Sequence, residues 1–143
     1  MYQDTVSFFN RKKLADRTKG SVWYPTVLKG VNLNIDRASI VAQYGPESQD
    51  NAVLNVRYQR DGDVILVGGK PWMPPKEWDG TEDSLTFAVG DFFWVGEWGD
   101  SIPEDVNYDG GFYGYMNDTH DFVFMVTSVS MLSIIPHFEI VGK

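Results

Sequence analysis

Alternation of apolar and polar positions is the dominant pattern along the chain. Val31, Leu33 and Ile35 alternate with Asn32, Asn34 and Asp36, and Leu54, Val56 and Tyr58 alternate with Asn55, Arg57 and Gln59. A period of two places successive side chains on opposite faces of an extended backbone, so each run predicts a half-buried β-strand. Residues 5–10 (TVSFFN) set Val6 and Phe8 against Ser7 and Phe9, and Leu85, Phe87 and Val89 repeat the pattern. Residues 21–28, 92–98 and 121–131 are rich in aromatic and β-branched side chains, which suit a pleated surface. At the end of the chain, SIIPHFEIVGK is rich in apolar residues (Ile134, Phe138, Ile140, Val141). Phe138 and Ile140 face one way and His137 and Glu139 the other, which predicts a core strand closing the sheet after Pro136.

Breaks in the pattern place the turns. Asp61-Gly62 is a hairpin signal, with a returning strand at 64–67 that Gly68-Gly69 ends. Pro25 cannot donate to a ladder and marks an edge or a bend. Lys29-Gly30 separates the strand at 21–28 from the one at 31–35. Residues 11–20 are mostly polar and read as a loop, and 71–80 (PWMPPKEWDG) reads as an ordered loop of prolines and tryptophans. Residues 36–51 lose the period and contain Gly45-Pro46, a long excursion of the kind that often carries function. Residues 99–120 are acidic, with a short helix expected over 108–117, weakened by Gly110 and Gly111. The pattern predicts a mainly β fold: a small antiparallel β-barrel or sandwich with long loops and at most one short helix, in one domain over 1–143.

Charge divides the chain in two. The net charge is −8, yet residues 1–76 hold 11 Lys/Arg against 7 Asp/Glu, and residues 77–143 hold 1 against 13. The acidic half, with its insertion at 77–121, would repel phosphate, which argues against nucleic-acid binding there. The basic run Arg11, Lys12, Lys13, Arg17 and Lys19 reads as a solvated loop. There are no cysteines, which excludes disulfides and thiolate metal sites. No stretch approaches a membrane span and MYQDTVSFFNRKK lacks the order of a signal peptide, so a soluble protein made in a cytoplasm is expected.

Catalytic signals are weak. His120 and His137 are the two imidazoles, and no nucleophile motif accompanies them. Asn117, Asp118, His120 and Asp121 cluster, and Asp61 and Asp63 flank a glycine, but neither set has calcium-loop spacing. Glu97, Asp100, Glu104 and Asp105 supply carboxylates for glycoside hydrolysis only if two of them face each other. A non-enzyme without cofactor or metal is therefore expected. The aromatic set is the better clue: Trp72, Trp78, Trp94, Trp98, Tyr113 and Tyr115 are candidate partner contacts, with Tyr108 nearby, although core packing accounts for many such rings.

TVSFFNRKK, SVWYPTVLKGVNLN, GDVILVGGKPWMPPKEW and VTSVSMLSIIPHFEIVGK together resemble small head-completion proteins of tailed phages and prophages of Firmicutes, the minor capsid or stopper-type parts of the head–tail connector. The resemblance covers roughly half of the chain and carries no catalytic signature. It implies a small β-barrel assembled as a homo-oligomeric ring in the virion neck, put together in the host bacterial cytoplasm. Its partners would be the adaptor or portal and the tail terminator, with DNA passing through unread and no membrane involved. It also implies a channel loop that helps retain DNA, matched here by residues 36–51 with Arg37, Ser39, Ile40, Gln43, Tyr44, Glu47 and Gln49. The insertion at 77–121 exceeds a minimal stopper, which leaves an adaptor-side or tail-joining place open. Two other readings compete: a carbohydrate-binding β-sandwich with Trp72, Trp78, Trp94 and Trp98 as its platform, and a small hydrolase using the acidic loops.

Overall fold

The computed structural model describes residues 3–35 and 52–143. Six strands close into an antiparallel barrel: β1 (Asp4–Lys13), β2 (Ser21–Ile35), β3 (Ala52–Arg57), β9 (His137–Gly142), β8 (Val123–Leu132) and β7 (Phe92–Val95), in that order around the wall. Between β3 and β7, the strands β4 (Gln59–Asp61), β5 (Val64–Val67) and β6 (Lys70–Trp72) form a separate sheet. Helix α1 (Phe112–Thr119) lies between β7 and β8. A closed barrel leaves its own strands without free edges, so a partner cannot associate by adding a strand to this wall.

Both ends of the chain enter the barrel. β1 pairs with β2 from Asp4–Val31 to Lys13–Ser21, and β9 lies between β3 and β8, with Val56 opposite Phe138 and Val129 opposite Ile140. Phe138 and Ile140 are fully buried, as the alternation at the end of the chain predicts. They join Val6, Phe8, Leu54, Phe87 and Phe93 in the main core, against which Ile65 and Trp72 of the small sheet pack. A second core gathers Phe9, Trp23, Phe92, Phe112, Met116 and Val123 between the wall and the helix. β1 serves both, because Val6 and Phe8 point into the barrel while Phe9 points to the helix side. Burying both faces explains why TVSFFN holds three apolar residues in four positions.

Several boundaries differ from those the pattern predicts. β1 runs on through Arg11, Lys12 and Lys13, whose exposed side chains look like a loop in sequence but extend the ladder with β2. Lys29-Gly30 does not end a strand: β2 continues, and Gly30 at φ 69° bends it opposite a register shift at Asp4/Thr5. Gly68-Gly69 is a second hairpin turn, which makes Lys70–Trp72 a strand inside the supposed loop. Leu85 and Phe87 are buried but belong to no strand, and Val89 is 71% exposed. The helix starts after the glycines, at Phe112, because Gly110 and Gly111 both have positive φ. Ile134 is not core: it sits on the β8–β9 turn, 98% exposed.

Candidate functional site

Asp105 organises the loop between β7 and the helix. Its Oδ2 accepts a hydrogen bond from Ser21 N at 2.9 Å, and its Oδ1 accepts from Trp23 Nε1 at 2.8 Å and Phe112 N at 2.9 Å. Helix α1 has Gly111 at its N-cap and no capping side chain there. Asp105 therefore supplies the missing acceptor from outside the helix, where negative charge also suits the dipole. Gly20 makes the approach possible: at φ 69°, an added Cβ would lie 2.8 Å from Asp105 Cβ. A carboxylate that looks catalytic in sequence is thus a clamp, with its oxygens committed to structural donors.

The other titratable candidates do not converge. Glu97 forms an exposed ion pair with Lys29 at 3.5 Å, while Asp100 and Glu104 lie on the surface. His120 Nδ1 meets the Thr119 hydroxyl at 2.8 Å and His137 Nδ1 meets Ile135 O at 2.6 Å, so Glu139 does not orient His137. Among the described residues, no group of three or more His, Asp or Glu side chains could hold a metal ion. An open cleft of about 600 Å³ separates Arg17–Lys19 from residues 105–111; of the two carboxylates in its lining, Asp105 is committed to structural donors and Asp109 is exposed to solvent. Asp91 is the buried exception. It accepts hydrogen bonds from Arg11 N, Asn10 Nδ2 and Ala88 N at 2.9, 3.0 and 3.0 Å, yet burial pushes its pKa up to about 6. The Asn10 amide also donates to Thr86 O, tying β1 to the segment before β7.

The predicted contact aromatics mostly turn inward. Trp72 packs on Phe138 at 4.9 Å, its indole nitrogen buried without a protein acceptor. Trp78 stands edge-on to Tyr24, and Tyr113 packs on Phe92, where burial raises its phenol pKa. Trp98 meets Phe9 and Phe112 edge to face, and Tyr108 also packs on Phe112. Trp94 and Trp98 are close to perpendicular, at 87°. A sugar platform needs flat rings open to solvent, and these tryptophans are half-buried and turned across one another. Tyr115 alone of the set is exposed. The predicted channel-loop residues Arg37, Ser39, Ile40, Gln43, Tyr44, Glu47 and Gln49 lie outside the described residues.

Two apolar surfaces that sequence reasoning passed over lie at opposite ends of β8. Beyond its last residue, the turn to β9 exposes Ile134 at 98% and Ile135 at 68%, beside the partly exposed Met131 and Leu132. The turn is held from below: Tyr58 Oη donates to Leu132 O at 2.9 Å, and Tyr58 N donates to Pro136 O at 3.4 Å. Before its first residue, Phe122 is half exposed with φ 60°, the one non-glycine residue at positive φ among those described. His120, two residues before it in the chain, has ring contacts with Trp94 and Tyr115. The available signal was the break of alternation at SIIP: Ile134 and Ile135 are adjacent, so no single strand face can bury both.

Neither a curated protein nor a solved structure matches this chain. The model of one family, described as a family of unknown function (DUF6751), matches residues 1–143, and the chain belongs to that family.

Proposed function

We propose that this protein is a non-enzymatic structural component of a tailed-phage neck. In this reading it forms a ring between the portal or adaptor and the tail and helps to retain packaged DNA. The observation that carries it is the turn after β8, where Ile134 and Ile135 stand out from a closed barrel into solvent. Burying an isoleucine is worth about 1.5–3 kcal/mol, so leaving two exposed on a braced turn marks a surface meant for a protein neighbour. The barrel supports the reading in a second way. Its closed wall prevents indiscriminate strand addition, and its turns supply discrete contacts of the kind a ring of fixed size requires.

The acidic half supports a conduit role. Glu77, Asp79, Glu82 and Asp83 are all exposed, and a wall that does not grip phosphate lets DNA slide. An adaptor-side or tail-joining place in the same neck is compatible with these features. The sugar-binding alternative is less well supported, because the four tryptophans do not form a shared open face. Nor does any converging acid–base pair among the described residues favour a hydrolase.

Deletion of the gene from a phage or inducible prophage that carries it tests the proposal. The expected result is DNA-filled or leaking heads accumulating apart from finished tails in electron micrographs, with infectivity restored by the gene in trans. Normal joined particles from the deletion strain would overturn it.

A further inference from the structure

We propose that the cleft at the tip of the β1–β2 hairpin, between Arg11 and Lys13 on the strand and Arg17 on the turn, binds a single terminal phosphate group, free or carried by a small molecule. The cleft measures about 420 Å³, and none of the described residues that line it is acidic. In sequence these cations look like part of a solvated loop. In the fold they stand on a ladder that runs to Lys13–Ser21 and continues with Leu14 N donating to Gly20 O at 3.1 Å. Arg11 and Lys13 are two apart on one strand and so share a face. The turn brings Arg17 to the same opening. Such a site is independent of any place in a phage neck.

Arg11 is oriented by the residues beneath it. Its Nε donates to the hydroxyl of the buried Ser21 at 2.9 Å, and its guanidinium lies over the buried Trp23 ring at 5.7 Å. Trp23 is fixed in turn by its indole bond to Asp105. With Nε taken, the two terminal nitrogens keep their donors, which meet no acceptor among the described residues. A stacked guanidinium presenting that end suits two parallel bonds to an oxyanion. Lys13 and Arg17 form no ion pair among the described residues either. A terminal phosphate has three acceptor oxygens pointing in different directions. Donors arriving from both arms of a hairpin match that shape better than the flat oxygen pair of a carboxylate.

Carboxylates surround the hairpin, but none lines this cleft. Asp16 lies in the turn itself, where its Oδ1 accepts from Thr18 N at 3.0 Å and Thr18 Oγ1 at 2.7 Å. Asp91 accepts Arg11 N and Asp105 accepts Ser21 N, each with two further donors. Glu104 pairs with Val22 on the second strand, and Asp109 faces Arg17 and Lys19 across the larger cleft. Lys12 does not join the three cations, because its Nζ donates to Gly80 O at 3.5 Å, next to Asp79. The wider field is therefore close to balanced, and attraction is confined to the opening. That favours one compact group of high charge over a long polyanion, which needs a continuous basic surface.

Titration of the full chain with inorganic phosphate in chloride buffer near neutral pH, followed by amide and arginine NMR signals, tests the site. Saturating shifts are expected at Gly20, Ser21 and the Arg11 side chain, with a midpoint in the millimolar range. Lys13→Glu and Arg17→Glu should each weaken binding about tenfold. Arg11→Lys, which keeps the charge and loses the fork, should weaken it severalfold. Lys76→Glu, exposed and outside the cleft, should leave it unchanged. Lys13 and Arg17 are exposed, so both variants should unfold at the temperature of the natural chain; Arg17→Gln replaces any that does not. Shifts that do not saturate, that acetate reproduces at equal concentration, or that survive in the Lys13 and Arg17 variants overturn the assignment. So does a short DNA duplex that binds these residues more tightly than phosphate and is released steeply by salt, since that marks a surface for a polyanion.

Discussion

The indole of Trp23 donates to the carboxylate of Asp105 at 2.8 Å, joining residues 82 positions apart in the chain. The same carboxylate receives Ser21 N and Phe112 N, so one side chain fastens a barrel strand, a loop and the start of a helix. Hydrogen bonds to a charged acceptor contribute about 1.5–3 kcal/mol, and stranded buried donors cost a comparable amount. Asp105→Ala is therefore expected to lower unfolding free energy by about 3 kcal/mol or more, measured by urea denaturation. Trp23→Phe, which removes one donor and keeps the ring, should cost about 1–2 kcal/mol. A loss below about 0.5 kcal/mol for Asp105→Ala would show that water replaces the clamp without penalty.

Much of the barrel was legible in the sequence, and the reason is physical. Alternation reports burial on one face, so Val31–Ile35, Leu54–Tyr58 and Phe138–Ile140 could be placed from spacing alone. It fails where a strand buries both faces or neither. Phe8 and Phe9 serve different cores, and Arg11–Lys13 extend a ladder although all three are charged and exposed. It also fails where burial occurs without a ladder, as at Leu85 and Phe87. The site was less legible. Aromatic residues in loops were expected to face partners, but Trp98, Tyr108 and Tyr113 surround Phe112 and Phe92 to build a second core. The exposed surface fell instead to aliphatic Ile134 and Ile135, whose composition is that of a core.

Asp91 should make stability depend on pH in a direction opposite to that of an ordinary salt-bridged carboxylate. Its pKa rises from 3.8 to about 6 because burial disfavours the charge. Below pH 3.8 the group is protonated in both states. Between there and about pH 6 the folded protein holds a proton that the unfolded chain has released. Its contribution is thus fully present in acid and is lost as pH rises through about 6. The shift of about two units corresponds to about 3 kcal/mol. Urea titrations of the natural chain and Asp91→Asn at pH 4, 5, 6 and 7 should show their difference changing by that order, to the natural chain's disadvantage at higher pH. A difference that stays constant across this range would contradict the assignment.

Trp72 offers a test of an unpaired donor. Its indole N–H is buried without a protein acceptor, while its ring packs on Phe138. Removing an unsatisfied polar group and keeping most of the apolar area can be neutral or stabilising. Trp72→Phe is expected to change unfolding free energy by less than about 1 kcal/mol, whereas Phe138→Ala in the same contact should cost about 3–5 kcal/mol. A large loss for Trp72→Phe would contradict the view that the indole N–H is an uncompensated cost.

The acidic wall can be separated from the fold because its carboxylates have different roles. Asp79 accepts hydrogen bonds from the Thr81 and Ser84 hydroxyls at 3.2 and 3.1 Å, so it shapes its own loop. Glu82 and Asp83 are exposed and act on their surroundings chiefly through charge, favouring the protonated form of the half-buried Lys70 against the burial that lowers its pKa. Glu82→Lys with Asp83→Lys is therefore the cleaner reversal: thermal unfolding should move little, since exposed charges contribute less than about 1 kcal/mol. If this surface lines the conduit, four units of charge per subunit change from repelling phosphate to holding it. DNA ejection from particles carrying the variant should then slow, and slow more at low salt than at high salt, because phosphate contacts release counterions. Unchanged ejection kinetics at low ionic strength would place these residues away from the DNA path.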